Sequence, residues 1–412
     1  MNYSQLKYDD SPAPSDTLKK ERDRDPELIP QRTAQHIFVF LEIFNQEGGI
    51  QSYVKDIFSA YLTLAQQESR NPAIQPYHAE VFVLRDTSNC DNPFESQFIK
   101  FHYLGTSKPW LGRIKLSASL VARIVQQRPD RVFCGHINLA PLVGSVCQSI
   151  GIPYTVLTYG KEVWEILTPL KKKALDDASE IWTISRYSRD RACEANQLDP
   201  QKIQLLPCIV NCNVFTPGEK PQTLLERYDL GGSKVLMTVA RLWSGDRYKG
   251  VDVTIRALPK IAKSFPDIKY LVIGRGDDQP RLAQLAEDLG VRDRVVFAGF
   301  VPTEELPDHY RVADAYVMPS QEGFGIVYLE AMACGIPVVS GNTDGSSEPL
   351  QDGKVGWQVP RKDEQAVAAA CIEILSGNDK RSNGQWLREQ CVESFSKDAL
   401  THRLQELLDR AD

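Results

Sequence analysis

Glu322 and Glu330 have seven residues between them, in Glu322-Gly323-Phe324-Gly325-Ile326-Val327-Tyr328-Leu329-Glu330. Ala315–Met318 reads as a strand and Ile326–Cys334 as a helix, so Glu322 lies in the loop that joins them. Gly323 and Gly325 let this backbone come close to a ligand. The helix start offers unpaired N–H groups and a positive dipole end, a ready seat for phosphate. Glu330 stands about one turn inside the helix, in an otherwise apolar pattern of Val327, Leu329 and Met332. A carboxylate left unpaired among apolar side chains is costly. Glu322 and Glu330 therefore read as functional, able to grip two hydroxyl-rich groups flanking one diphosphate.

Other chemistry is sparser. Ile273-Gly274-Arg275-Gly276 is a strand running into a Gly-x-Gly turn, and no third glycine completes a dinucleotide fingerprint. The nine cysteines are odd in number and dispersed, and read as reduced core residues. Cys208 and Cys212 bracket three residues but have no second pair to complete a zinc site. No metal is expected. Lysines and arginines number 48 against 54 acids, a net charge of −6, so nothing global favours nucleic acid. The basic run Lys171–Lys173 has Trp164 and Leu167 nearby, with Trp110 and Arg113 as further candidates. It fits either a solvated helix start or a patch for peripheral membrane contact.

The elements that must position these residues alternate. Strands are expected at His36–Leu41, Glu80–Leu84, Phe98–Tyr103, Arg131–Cys134, Tyr154–Thr158 and Glu180–Ile184. Helical patterns fall at Ile50–Ala65, Arg113–Gln127, Leu139–Ile150 and Arg186–Asn196. The grammar restarts with strands at Lys234–Ala240, Lys269–Ile273, Val295–Phe297, Ala315–Met318 and Pro337–Ser340. Helices are expected at Val251–Phe265, Pro280–Leu289, Glu304–Arg311 and Ile326–Cys334. Such alternation predicts α/β architecture with parallel sheets covered on both faces. The expected organisation is a polar tail over 1–31, one doubly wound domain over 32–210 and a second over 211–385. C-terminal helices over 386–412 return to the first domain. Pro207–Pro217 reads as a hinge. With 412 residues, 42% hydrophobic and 25% charged, the chain can build two cores. No apolar run reaches the ~18–20 residues of a membrane helix, since Glu42 interrupts Ile37–Phe44.

The segment from Glu322 to Val339, with Gly-Phe-Gly after the first Glu and Gly335-Ile336-Pro337-Val338-Val339 after the helix, resembles the signature of retaining glycosyltransferases of the GT-B fold, family 4. The likeness covers roughly residues 230–360 and extends loosely back to Phe38. It implies two Rossmann-like domains facing across a cleft, with donor mostly on the second and acceptor mostly on the first. It implies that Glu330 meets the nucleotide ribose and Glu322 the hydroxyls of the transferred sugar. Backbone amides around Gly323, Phe324, Gly325, Ile326 and Val327 would meet sugar and diphosphate. Arg241 and Lys249 would clamp the diphosphate, whose growing negative charge must be stabilised without proton transfer. The stretch between them is longer than usual, and Arg247 is a rival cation. Gly274, Gly276 and Val301 would border the nucleotide. In the first domain, Gly48 and Gly49 would lie near the diphosphate and His136 near the sugar. Tyr159 and Glu162 would sit on the acceptor side, with Tyr159 standing where the family often has His.

The resemblance implies a retaining, metal-independent hexosyltransferase with a nucleotide-sugar donor as cosubstrate and no cofactor. The acceptor would be a saccharide or lipid-linked hydroxyl, in polysaccharide or glycolipid synthesis. The expected location is cytoplasmic, with contact to the cytoplasmic face of a membrane as an option. The competing reading is a catalytically silent GT-B scaffold that keeps the nucleotide-sugar site.

Overall fold

Val, Ile and Phe crowd the strands on both faces, as sheets buried between helices require. A computed structural model describes residues 35–410 except 47, 73 and 107; the tail expected over 1–31 lies outside the described residues. In chain order the first half holds β1 (Gln35–Phe40), α1 (Gly49–Glu68), β2 (His78–Val83), β3 (Ile99–Tyr103), α2 (Pro109–Gln127), β4 (Arg131–Cys134), α3 (Ala140–Ile150), β5 (Tyr154–Thr158), α4 (Pro169–Asp176), β6 (Glu180–Thr183), α5 (Arg186–Asn196) and β7 (Ile203–Leu205). The second half holds α6 (Gln222–Arg227), β8 (Lys234–Val239), α7 (Val251–Ser264), β9 (Ile268–Ile273), α8 (Gln279–Asp288), β10 (Val295–Gly299), α9 (Leu306–Val312), β11 (Ala315–Met318), α10 (Ile326–Ala333), β12 (Val338–Gly341) and β13 (Trp357–Val359). Three helices close the chain: α11 (Glu364–Ser376), α12 (Gly384–Phe395) and α13 (Lys397–Asp409).

The strands form a seven-stranded sheet, ordered β3-β2-β1-β4-β5-β6-β7, and a six-stranded sheet, ordered β10-β9-β8-β11-β12-β13. Both are parallel throughout. Alternation along β1 sends Phe38 and Phe40 to one core and Ile37 and Val39 to another. Each sheet reverses its winding once, at β1/β4 and at β8/β11. A crevice opens outside the strand ends at such points, and ligands bind there. β7, β13 and α6 are further elements that the sequence pattern did not single out as strands or helices, and the Lys171–Lys173 run does lie in a helix, the short α4.

The linker between the sheets is tied down. Arg388 of α12 donates to the carbonyls of Cys212, Phe215 and Ala333 at 2.7–2.8 Å, and the Val210 amide donates to Phe395 O at 3.0 Å. The C-terminal helices divide their allegiance. α12 packs on α10 of the six-stranded half, whereas α13 crosses to α1. There Tyr77 Oη donates to Asp409 at 2.6 Å, and Arg403 donates to Leu205 O at 3.0 Å. The break between them is Ser396, whose hydroxyl caps the Ala399 amide.

Candidate active site

β8 and β11 are hydrogen-bonded neighbours, so the loops that leave their C-terminal ends must meet. The first loop contains a 3-10 turn, Ser244–Lys249, and the second runs from Pro319 to Gly325. They bring Lys249 Nζ to 2.5 Å from Glu322 Oε1, with the two side chains 18% and 16% exposed. Two cavities adjoin this pair. One, of about 360 Å³, is walled by Gly49, Tyr53, Tyr159 and Ile184 of the first half and by Lys249, Glu322, Gly323, Phe324, Gly325, Ile326 and Val327 of the second. The other, of about 870 Å³, is walled by Ala240, Arg241, Trp243, Lys249, Gly274, Gly276, Phe300, Val301 and Val327. Lys249 and Val327 line both.

Several backbone approaches shape these walls. A Cβ on Gly274 would lie 1.8 Å from Ala240 O, and one on Gly276 would lie 1.9 Å from Leu242 O. No side chain fits at either place, so the Gly-x-Gly turn is what lets β9's end press against the loop that carries Arg241. Asp344 holds Glu322 from below. Its Oδ2 accepts the Glu322 amide at 2.5 Å and its Oδ1 accepts the Ser346 amide at 3.0 Å. Burial pushes the Asp344 carboxyl upward, and these donors pull it back. The fully buried Tyr310 donates its hydroxyl to Glu330 Oε2 at 2.7 Å. Burial raises the Glu330 pKa, and the Tyr310 hydrogen bond opposes the rise. Glu330 itself lines neither cavity; the Tyr310 hydroxyl also lies 3.4 Å from the carbonyl of Val327, which lines both.

In the first half, buried Asp86 accepts the amides of Ile43, Phe44 and Asn45 at 2.6–3.1 Å. That fixes the loop leading from β1 to Gly48 and Gly49. The N-terminus of α5 then clasps the second half. Ser185 Oγ donates to Gly323 O at 2.6 Å, and Gln321 Nε2 donates to Tyr187 Oη at 3.2 Å. Arg186 pairs with Asp352 at 2.7 Å, and its amide donates to the Glu348 carboxylate. Lys161 Nζ sits 4.2 Å above the Tyr248 ring. Both halves thus contribute to the smaller cavity.

The structure gathers Gly49, Tyr159, Lys249, Glu322–Val327, Arg241, Gly274, Gly276 and Val301 around these two cavities. It separates Lys249 from its rival: Arg247 turns to Asp278 at 3.3 Å and lines neither. Arg241 pairs with Asp246 at 2.9 Å and is 72% exposed at the cavity mouth. Gly48 caps α1 behind Gly49 without lining either space. His136 is also outside the walls. Its Nδ1 accepts the Asn138 amide at 3.0 Å, and burial with Lys171 and Arg85 lowers its pKa. Glu162 spends its Oε1 on the amides of Tyr159 (2.5 Å) and Gly160 (3.2 Å), capping its own turn. The Tyr159 hydroxyl is bonded to Gly135 O at 2.7 Å. Sequence reasoning missed Asp344, Tyr310, Asp86 and Ser185, whose partners are brought near only by the fold.

Of the basic run, Lys172 and Lys173 pair with Asp176 and Asp177 at 2.6 Å. Trp164 and Leu167 pack inward, Ile166 and Leu170 near the run in sequence are exposed, and so are Trp110 and Ile114 on α2. Among the described residues no helix is long and apolar enough to cross a membrane. Nor does any group of three or more His, Cys, Asp or Glu side chains there suit a metal ion.

Two parallel Rossmann-like sheets with a cavity at the junction of their loops define a GT-B fold. Solved structures agree: a glycosyltransferase of Rickettsia africae superposes with a TM-score of 0.72 at 16% identity, covering 92% of this chain and 98% of that one. Anabaena HepE in complex with UDP gives 0.68 at 18% identity, covering 91% and 100%. Residues 227–385 match the family model described as glycosyl transferases group 1. A GDP-mannose-dependent alpha-(1-6)-phosphatidylinositol monomannoside mannosyltransferase of Mycolicibacterium smegmatis is 35% identical over 275 residues, 63% of this chain and 71% of that protein. A GDP-mannose-dependent monoacylated alpha-(1-6)-phosphatidylinositol monomannoside mannosyltransferase of Corynebacterium glutamicum is 26% identical over 350 residues, 81% and 87% of the two chains. The chain belongs to the glycosyl transferases group 1 family, and it is a glycosyltransferase.

Proposed function

We propose that this glycosyltransferase moves a hexose, with mannose from GDP-mannose as the first candidate, to a hydroxyl of a lipid-linked acceptor, with retention and without a metal. The observation that carries the reading is the Lys249–Glu322 pair at the junction of two cavities. The choice of donor and acceptor rests on the names of the relatives from Mycolicibacterium and Corynebacterium.

In this reading the nucleotide occupies the larger cavity, between the Gly274–Gly276 turn, Val301 and Phe300. The sugar occupies the smaller one, against Glu322 and the amides of Phe324–Val327. Glu330, less than one helical turn beyond Val327 of that wall and joined to it through the Tyr310 hydroxyl, takes the ribose hydroxyls. Lys249 and Arg241 face the diphosphate and stabilise the charge that grows as the sugar–phosphate bond breaks. Arg241 offers a planar fork and Lys249 a compact charge. The acceptor hydroxyl attacks from the face the diphosphate leaves, and its proton passes to the departing phosphate oxygen. No distant base is needed, which suits a His136 held away from the cavity. Closure of the α5 clasp excludes water and protects the donor from hydrolysis. A lipid-linked acceptor would be met at a membrane surface, where exposed Trp110 and Ile114 of α2 favour contact.

Thermal-shift titration with GDP, UDP and ADP tests the donor. A ligand at 100 times its Kd adds about 2.7 kcal/mol to the folded state. A shift with GDP, lost in Glu330→Ala, supports the reading. No shift with any diphosphate in folded protein overturns it. The anomeric configuration of the product, read by NMR, decides retention.

A further inference from the structure

We propose a second anion site, outside the donor cavities, that takes a phosphoryl group. Behind the loop that carries Lys249 lies a separate cavity of about 410 Å³. Its walls include Arg247, Arg256, Arg361 and Lys362, against a single carboxylate, Asp252. Four cations to one acid is the reverse of the chain's net −6.

The pairing of these groups sharpens the point. Asp252 is 3.9 Å from Arg281 Nη1, so part of its charge is already answered from outside. Arg247 leans on Asp278 at 3.3 Å, and Arg361 donates to Gln321 Oε1 at 2.7 Å, a neutral acceptor. Arg256 and Lys362 are exposed and have no ion pair among the described residues. Like charges converging on one concavity repel each other unless an anion joins them. Pockets of this size for drug-like ligands are mostly apolar. This one suits a small, strongly charged ligand, and three guanidinium forks match phosphate oxygens in pairs.

The site is wired to the catalytic loops. Tyr248 and Pro319 line it, and their neighbours lead to Lys249 and Glu322. Arg361 holds Gln321, which in turn reaches Tyr187 of the opposite half. A phosphoryl group bound here stiffens the segment that presents Lys249. The shared chemistry is a phosphate monoester, free in solution or carried by a lipid headgroup.

The test uses the full chain and inorganic pyrophosphate as probe, titrated by calorimetry in an Arg241→Ala/Lys249→Ala background that removes the donor-site cations. Binding should persist there and weaken about tenfold or more when Arg256→Glu and Lys362→Glu are added. Both positions are exposed, and an unchanged melting temperature confirms that the variant folds. No binding in the background, or binding indifferent to the charge reversals, overturns the proposal. Glycerol 3-phosphate and phosphatidylcholine vesicles carrying phosphatidic acid are then compared as competitors. Displacement by the first assigns a free ester, displacement by the second a headgroup, and displacement by neither also overturns the proposal. Because the donor site is disabled throughout, failure of the donor assignment leaves this result unaffected.

Discussion

Replacing Glu322 by Gln should tighten GDP binding without tightening GDP-mannose binding. In the free protein Lys249 is committed to Glu322 at 2.5 Å, with side chains 18% and 16% exposed. On the proposed assignment Lys249 must turn from this partner to the diphosphate, and the affinity for GDP is reduced by the cost of that exchange. A fully exposed pair contributes at most about 1 kcal/mol, and breaking a buried one costs about 3–5 kcal/mol. This partly buried pair belongs between them, at about 1–2 kcal/mol. Gln keeps the shape and removes the charge, so Lys249 is released and the GDP Kd should fall by roughly 5- to 30-fold. GDP-mannose shares the release of Lys249 but also loses about 1.5–3 kcal/mol where its hydroxyls exchange a carboxylate for an amide, so its affinity stays level or falls. Calorimetric titration of both ligands into wild type and Glu322→Gln reads the difference between them directly. Lys249→Met is the control, and should weaken GDP. An unchanged or weaker GDP affinity in Glu322→Gln would refute the exchange, and with it the placement of the diphosphate on Lys249.

Tyr310→Phe removes the hydrogen bond that opposes the upward push of burial on Glu330. The acid limb of GDP affinity, where Glu330 takes a proton, should therefore move to higher pH; a limb that stays put or moves down argues against a ribose contact by Glu330. Asp56 on α1 is pushed up from 3.8 to about 7, chiefly by burial, with Lys397 as the opposing influence. The folded state then holds a proton that the unfolded state releases, so stability from this group is present below about pH 4 and lost as pH rises through 7. Asp56→Asn should match wild type in unfolding free energy at low pH and exceed it at pH 8 by on the order of 2–4 kcal/mol, as urea titration reads it; equal curves at pH 8 would sink the argument. Cys212 is drawn below the usual thiol range by the neighbouring Cys391, with burial opposing and Arg388 adding to the effect. Iodoacetamide at neutral pH should label Cys212 ahead of the buried cysteines, and Cys391→Ala should slow it, as mass spectrometry of timed digests would show.

Much of the site's wall from the six-stranded half was legible because it is local. The Glu322–Glu330 segment is contiguous: strand, glycine loop and helix follow within twenty residues, and each residue type announces its place. The Gly274 and Gly276 turn was visible as a turn, though only the 1.8 and 1.9 Å approaches to Ala240 O and Leu242 O show why both must be glycine. The supports were not legible. Asp344 holds the Glu322 amide and Tyr310 the Glu330 carboxylate, 22 and 20 residues away in sequence, and Asp86 caps amides 41–43 residues upstream. No local pattern distinguishes them from ordinary loop acids or a core tyrosine. Glu162 shows the reverse hazard. It stands in the right loop, yet two amides of its own turn take its carboxylate. The end of α12 has no local mark in the sequence: Ser396 stops the helix by capping the next one, with neither Gly nor Pro at the place.

That stop at Ser396 has a consequence for how such proteins can be recombined. The six-stranded half keeps α12, while α13 belongs with α1 of the seven-stranded half. The halves are therefore not consecutive blocks of chain. A hybrid that joins one parent's first half to another's second half at the linker alone inherits an α13 matched to the wrong α1. Tyr77 and Asp409 would then come from different parents. A working exchange of six-stranded halves therefore needs two crossovers, one in the linker and one at Ser396.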